Sequence, residues 1–219
     1  MMMSEAKDAQ KVSVVRKIAL PVLLGAVVGF LVAFGIFEFA EGIGETGLSA
    51  SAEIAVLCGA FYVLIGLFVG GGTLMPGAGA KLLNVEDADE LREQRSMLLL
   101  SSYAMGLWGA ALIVLALSGE GALIASVPAL IIAAAIYAAA LFFVVRSYSM
   151  SDELMVAVNH EAAVWSYGLV FAFLGGWSAL AHAELIPGPQ PLDVLTVFYA
   201  VVLLATFIAA GRRGMLKVR

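Results

Sequence analysis

The chain is short of most residues from which reactive sites are built. Cys58 is its one cysteine, so neither an internal disulfide nor a cysteine metal cluster is available to it. Its position inside an apolar run points to buried packing. His160 and His182 are the only two histidines. Charged residues make up 13% of the chain, and the formal net charge is -5. No basic stripe exists outside the short tails, which argues against a nucleic-acid partner. No Gly-Lys-[Ser/Thr] core follows the glycines around Gly70 and Gly77, so a phosphate loop is excluded there, and a flexible surface hinge is the better expectation.

What the chain has in quantity is apolar surface. Hydrophobic residues make up 62%, with a mean hydropathy of +1.00. A water-soluble domain of 219 residues could not hide that much, so lipid must solvate a large part of it. A spanning helix needs about 20 mostly apolar residues. Six stretches qualify: 18–39, 54–74, 97–117, 122–145, 162–181 and 192–210. Backbone groups in lipid must bond internally, and the runs lack the alternation of a membrane β-barrel, so all six are expected to be helices. The first stretch is too long for a signal-peptide core and is read as an uncleaved span.

The charges orient this arrangement. Lys7, Lys11, Arg16 and Lys17 precede the first span; Lys81, Arg92 and Arg95 lie between the second and third. Arg146 lies between the fourth and fifth, and Arg212, Arg213, Lys217 and Arg219 follow the sixth. The links after spans one, three and five carry glutamates but no Lys or Arg. All 12 basic residues therefore fall on one side, which the positive-inside rule assigns to the cytoplasm. The expected fold is an all-α, six-span membrane bundle, residues 1–219 as one domain, with both termini inside. Cytoplasmic material is expected at 1–17, 75–96, 146–160 and 211–219. The external links, 41–53, 118–121 and 182–191, leave no room for a domain.

Two of the cytoplasmic segments look alike. Ala88-Asp89-Glu90-Leu91 leads to Ser102-Tyr103, and Ser151-Asp152-Glu153-Leu154 leads to Ser166-Tyr167. Duplication of a hairpin unit and coincidence both remain open. The copies share one membrane orientation, so they are not an inverted repeat of the transporter kind. Acidic residues in a first turn meet the positive end of the helix dipole, and Ser149 and Ser151 are natural caps. The stretch Ser151-Asp-Glu-Leu-Met-Val-Ala-Val-Asn-His-Glu-Ala-Ala163, its following span and Arg212-Arg213 resemble a group of small uncharacterised bacterial membrane proteins. Members share an Asp-Glu-hydrophobic start, a Glu-Ala soon after, and a final hairpin ending in arginines. The resemblance covers about 149–213 and implies membrane residence.

Candidate sites are few. Asp152, Glu153, His160 and Glu161 form a polar group where span five enters the membrane. A partner interface, a pH-sensing or metal-binding cluster, and plain solvation of a helix start are the alternatives there. His160 and His182 lie at opposite ends of one helix and cannot ligate one haem. Gly25 with Gly29, and Gly66 with Gly70, form GxxxG pairs that let helices approach closely, within one chain or between two. The aromatic residues look scattered, with Trp165 and Trp177 suited to the two interface belts. No carboxylate sits at mid-depth, which counts against a proton pump or proton-coupled carrier. No catalytic, cofactor or metal residues emerge. The expected function is a non-catalytic accessory or scaffold in a bacterial inner membrane, acting through helix packing and cytoplasmic segments, with a membrane-protein partner or a homo-oligomer. The alternative is a small-solute or ion transporter or channel, which a homo-oligomer would also suit.

Overall fold

The computed structural model describes residues 29, 34–35, 38, 48–83, 88–119 and 122–215. The expected first span, with Gly25, and the N-terminal tail lie almost wholly outside them. Gly29, Phe34, Gly35 and Glu38 are described as helical and exposed.

The described residues form an all-helical bundle with five helices long and apolar enough to cross a membrane. These are α1 (Ala50–Leu74), α4 (Arg95–Ala116), α5 (Ser126–Tyr148), the continuous helix Glu153–His182, and α8 (Pro191–Arg212). Two short helices, α2 (Pro76–Leu82) and α3 (Ala88–Glu93), join α1 to α4. The continuous helix comprises α6 (Glu153–Val170), a π-helical turn (Phe171–Gly175) and α7 (Gly176–His182).

Local chemistry sets the boundaries. Ser49 caps α1 by accepting the Ala52 amide at 3.2 Å. Of the two glycine groups that flank the expected hinge, Gly70-Gly71-Gly72 stays helical, and the helix breaks between them at Met75. Pro76 explains this, since it disfavours helical geometry in the residue before it and opens α2 from its first position. The chain then folds back so tightly that a Cβ on Gly79 would collide with the Gly72 carbonyl oxygen. Leu91, fully buried, closes this corner from α3. Ser149 and Ser151 do not cap α6. Their hydroxyls donate back to the Arg146 and Ser147 carbonyls of α5, at 2.8 and 3.2 Å, and Asp152 takes the cap by accepting the Met155 amide at 2.7 Å. The link before α5 is longer than expected, because Ile124 bonds back to Leu117 and helix begins only at Ser126.

α1 and α4 make the closest contact. Gly59 faces Gly109 and Gly66 faces Ser102 and Gly106, so the two helices run antiparallel. A Cβ on Gly59 would lie 2.7 Å from the Gly109 carbonyl oxygen, and one on Gly66 would lie 2.7 Å from that of Ser102. Such approach replaces the hydrophobic drive that lipid removes. α5 packs on the other side of α4, and α8 links α6 to α1 and α4. The core holds Ala55, Val56, Tyr62, Leu112, Ala116 and Tyr199, with Cys58 packed against it. Large apolar side chains face outward instead, including Leu130, Phe142, Val164 and Phe171. That inverted pattern suits lipid as solvent. In this packing Arg92, Arg95, Arg146, Arg212 and Arg213 gather at one end of the bundle, called here the arginine end.

Candidate functional site

Three polar arrangements stand out, and two open at the arginine end. The first is a vestibule of about 550 Å³ between α3, the start of α4 and the start of α6. Glu90, Glu93 and Asp152 line it together with Met97, Met150, Met155 and Met215. The two similar acidic segments thus border one space: Ala88-Asp89-Glu90-Leu91 begins α3, and Asp152 heads α6. Asp152 is engaged as the cap, so its carboxylate serves the helix as well as the vestibule.

The second is a cleft of about 410 Å³ with α4 as its floor and α5 and α8 as its walls. Trp108 and Tyr62 lie at its deep end; Ser147, Tyr148, Ser151 and Asn159 lie toward the arginine end. Among the described residues, none that lines it is charged. Its hydroxyls are internally engaged. Ser101 donates to Leu98 at 3.0 Å, Ser147 to Met97 at 3.2 Å, Thr206 to Val202 at 2.9 Å and Tyr62 to Tyr199 at 2.7 Å, each to a carbonyl oxygen. At the mouth, the Tyr148 hydroxyl meets His160 Nε2 at 3.2 Å, joining α5 to α6.

The third arrangement lies below the cleft. The Tyr199 hydroxyl is 2.8 Å from the Trp108 carbonyl oxygen and 2.9 Å from the Tyr137 hydroxyl. A carbonyl can only accept, so Tyr199 donates to Trp108 and Tyr137 donates to Tyr199. The Tyr62 and Tyr199 rings meet edge to face at 5.0 Å, and Trp108 lies 5.9 Å from Tyr199. The aromatics that look scattered in sequence therefore converge, tying α1, α4, α5 and α8 together. Tyr137 and Tyr148 are 11 residues apart on α5, which puts the two tyrosine contacts about 16 Å apart along the helix.

The polar group at the start of α6 is dispersed rather than gathered. His160 turns to Tyr148, whereas Glu161 accepts from Arg212 Nε and Arg213 Nε of α8, both at 2.9 Å. Adjacent residues on an α-helix point about 100° apart, which is why they reach different neighbours. Glu153 is exposed in the first turn of α6. The Arg212 guanidinium also lies over Trp165 at 5.8 Å, a cation–π contact at the arginine end. At the opposite end, Trp177 donates its indole N–H to the Pro187 carbonyl at 2.8 Å. Among the described residues, no group of three or more His, Cys, Asp or Glu side chains is placed to hold a metal ion.

Gly66 and Gly70 both face α4, with a Cβ on Gly70 reaching 3.0 Å from the Ser102 hydroxyl. Sequence reasoning missed Gly59 and Gly109. The seven-residue spacing from Gly59 to Gly66 was the available signal, since it returns to the same helix face. It also missed the tyrosine contacts, for which the signal was a phenol hydroxyl inside an apolar run that must find a partner. No family model matches the chain, and no curated protein or solved structure shows significant similarity to it.

Proposed function

We propose that this chain is a six-span inner-membrane protein with both ends in the cytoplasm, that it catalyses nothing by itself, and that it serves as an accessory or scaffold subunit for another membrane protein. The observation that carries the reading is the vestibule at the arginine end. Two acidic helix starts border it, and flexible methionine side chains line it. Methionine surfaces adapt to varied apolar partners, and carboxylates select basic ones. The partner's docking segment is accordingly both basic and apolar. The one-sided distribution of all 12 basic residues supports the orientation.

The test is purification in mild detergent at native expression, with mass spectrometry of what co-purifies and a native mass of the particle. A stoichiometric partner is expected. Glu93→Lys should weaken its binding at least about tenfold, because like charges would then face each other. An acidic replacement of the partner's basic residue should restore it. A clean monomer or homo-oligomer, or robust turnover by the purified protein alone, would sink the reading. A second reading, a carrier for small solutes, is favoured by the uncharged, hydroxyl-bearing cleft between α5 and α8. Substrate-dependent flux in liposomes that is lost when cleft residues are changed would bring it forward.

A further inference from the structure

We infer that the cleft between α5 and α8 is a binding site for a small uncharged amphiphile, an alcohol or primary amide with an aliphatic or aromatic body. The assignment goes beyond either functional reading, because it holds whether the occupant stays bound or moves on.

The chemistry of the lining selects the class. Among the described residues no Asp, Glu, Lys or Arg lines the cleft, so an ion entering it would lose hydration with no opposite charge from them in return. The hydroxyls of Tyr62, Ser101, Ser147, Ser151 and Thr206 already donate their protons to carbonyl oxygens within the chain. What Ser101, Ser147 and Thr206 offer an occupant is therefore oxygen lone pairs, and the matching group on a ligand is an O–H or N–H donor. Asn159 adds a carboxamide that can accept or donate. The deeper surface, made by Met105, Trp108 and Leu203, suits an apolar body. A volume of about 410 Å³ lies within the ordinary range of small-molecule sites. Polar groups near the mouth and apolar ones at depth set the orientation, with the donor end toward Tyr148 and His160.

The probe is octanol carrying a diazirine, photolysed with the full-length protein in lipid nanodiscs, and the labelled residues are mapped by mass spectrometry. Labels on Met105, Trp108 and Leu203 should saturate with concentration. Labels on the outward-facing Leu130 should rise linearly, as partitioning into lipid requires. Val144→Trp, filling the cleft from α5, should lower the saturable labelling at least about tenfold. Thr206→Leu does the same from α8, should the first variant fail to give a monodisperse particle. The octanoate analogue of the probe should give no saturable labelling. The assignment is overturned if cleft labelling is linear and equal to that at Leu130, or if it survives both filling variants. Equal saturable labelling by octanoate would overturn the ligand class.

Discussion

The Tyr199 hydroxyl has one proton and two neighbours, and that asymmetry sets what each tyrosine is worth. Tyr199→Phe removes the donor to Trp108 and leaves the Tyr137 proton without its acceptor. Tyr137→Phe removes only one bond, and Tyr199 still donates to Trp108. Side-chain hydrogen bonds between membrane helices contribute about 0.6 kcal/mol on average and up to about 1.7. Tyr199→Phe should therefore cost about 1–2 kcal/mol and Tyr137→Phe less than about 1, read by reversible unfolding in mixed detergent micelles. Equal losses would show that the hydroxyl chain does not hold the four helices in the way its geometry implies. The Glu161 ion pairs belong to another class. Arg212 is 64% exposed, so screening by water leaves that pair little to contribute to stability. Its value lies in where it holds the end of α8.

Between elements, the contact that decides the bundle is α1 on α4. A Cβ at Gly109 would meet the Gly59 carbonyl oxygen and lie 2.9 Å from Tyr62 Cβ, backbone and stem atoms that cannot swing aside. Gly109→Ala should cost about 1–3 kcal/mol by overpacking. Gly71, on the same pair of helices but with nothing within 4 Å, is the control. Gly71→Ala should be neutral or stabilising by up to about 1 kcal/mol through helix propensity. The same detergent unfolding assay separates the two, and equal effects would deny the close approach. Much at this scale was readable from sequence. Residues 54–74, 97–117, 162–181 and 192–210 fall within or nearly within helices, because an apolar run of that length has no other way to satisfy its backbone. Where the reading fell short, the cause is tertiary or local. The start of α6 went to Asp152 because the serines found carbonyl partners on α5. The π-turn at Phe171–Gly175 has no periodicity signal of its own. The cleft draws on residues from α1, α4, α5, α6 and α8, so no local pattern announces it.

At the level of the whole molecule, the protein is a lipid-solvated bundle with polarity concentrated at one end. The helix Glu153–His182 buries none of its most apolar window inside the bundle. Its 30 residues span about 45 Å, against about 30 Å of hydrocarbon. One or both ends must therefore project beyond the apolar layer, and the Asp152 cap and Glu161 mark the arginine end as the polar one. On the proposed reading that end faces the cytoplasm, the side to which the positive-inside rule assigns the basic residues.

That orientation is the claim on which the proposed accessory role rests, and thiol labelling tests it most directly. In a Cys58→Ala background, Glu93→Cys and Glu184→Cys place single thiols at opposite ends of the bundle. A membrane-impermeant maleimide is added to right-side-out and to inside-out vesicles. The account predicts that the thiol at position 184 reacts in right-side-out vesicles and the thiol at 93 only in inside-out ones. The reverse pattern would contradict it, and so would reaction of both from the same side.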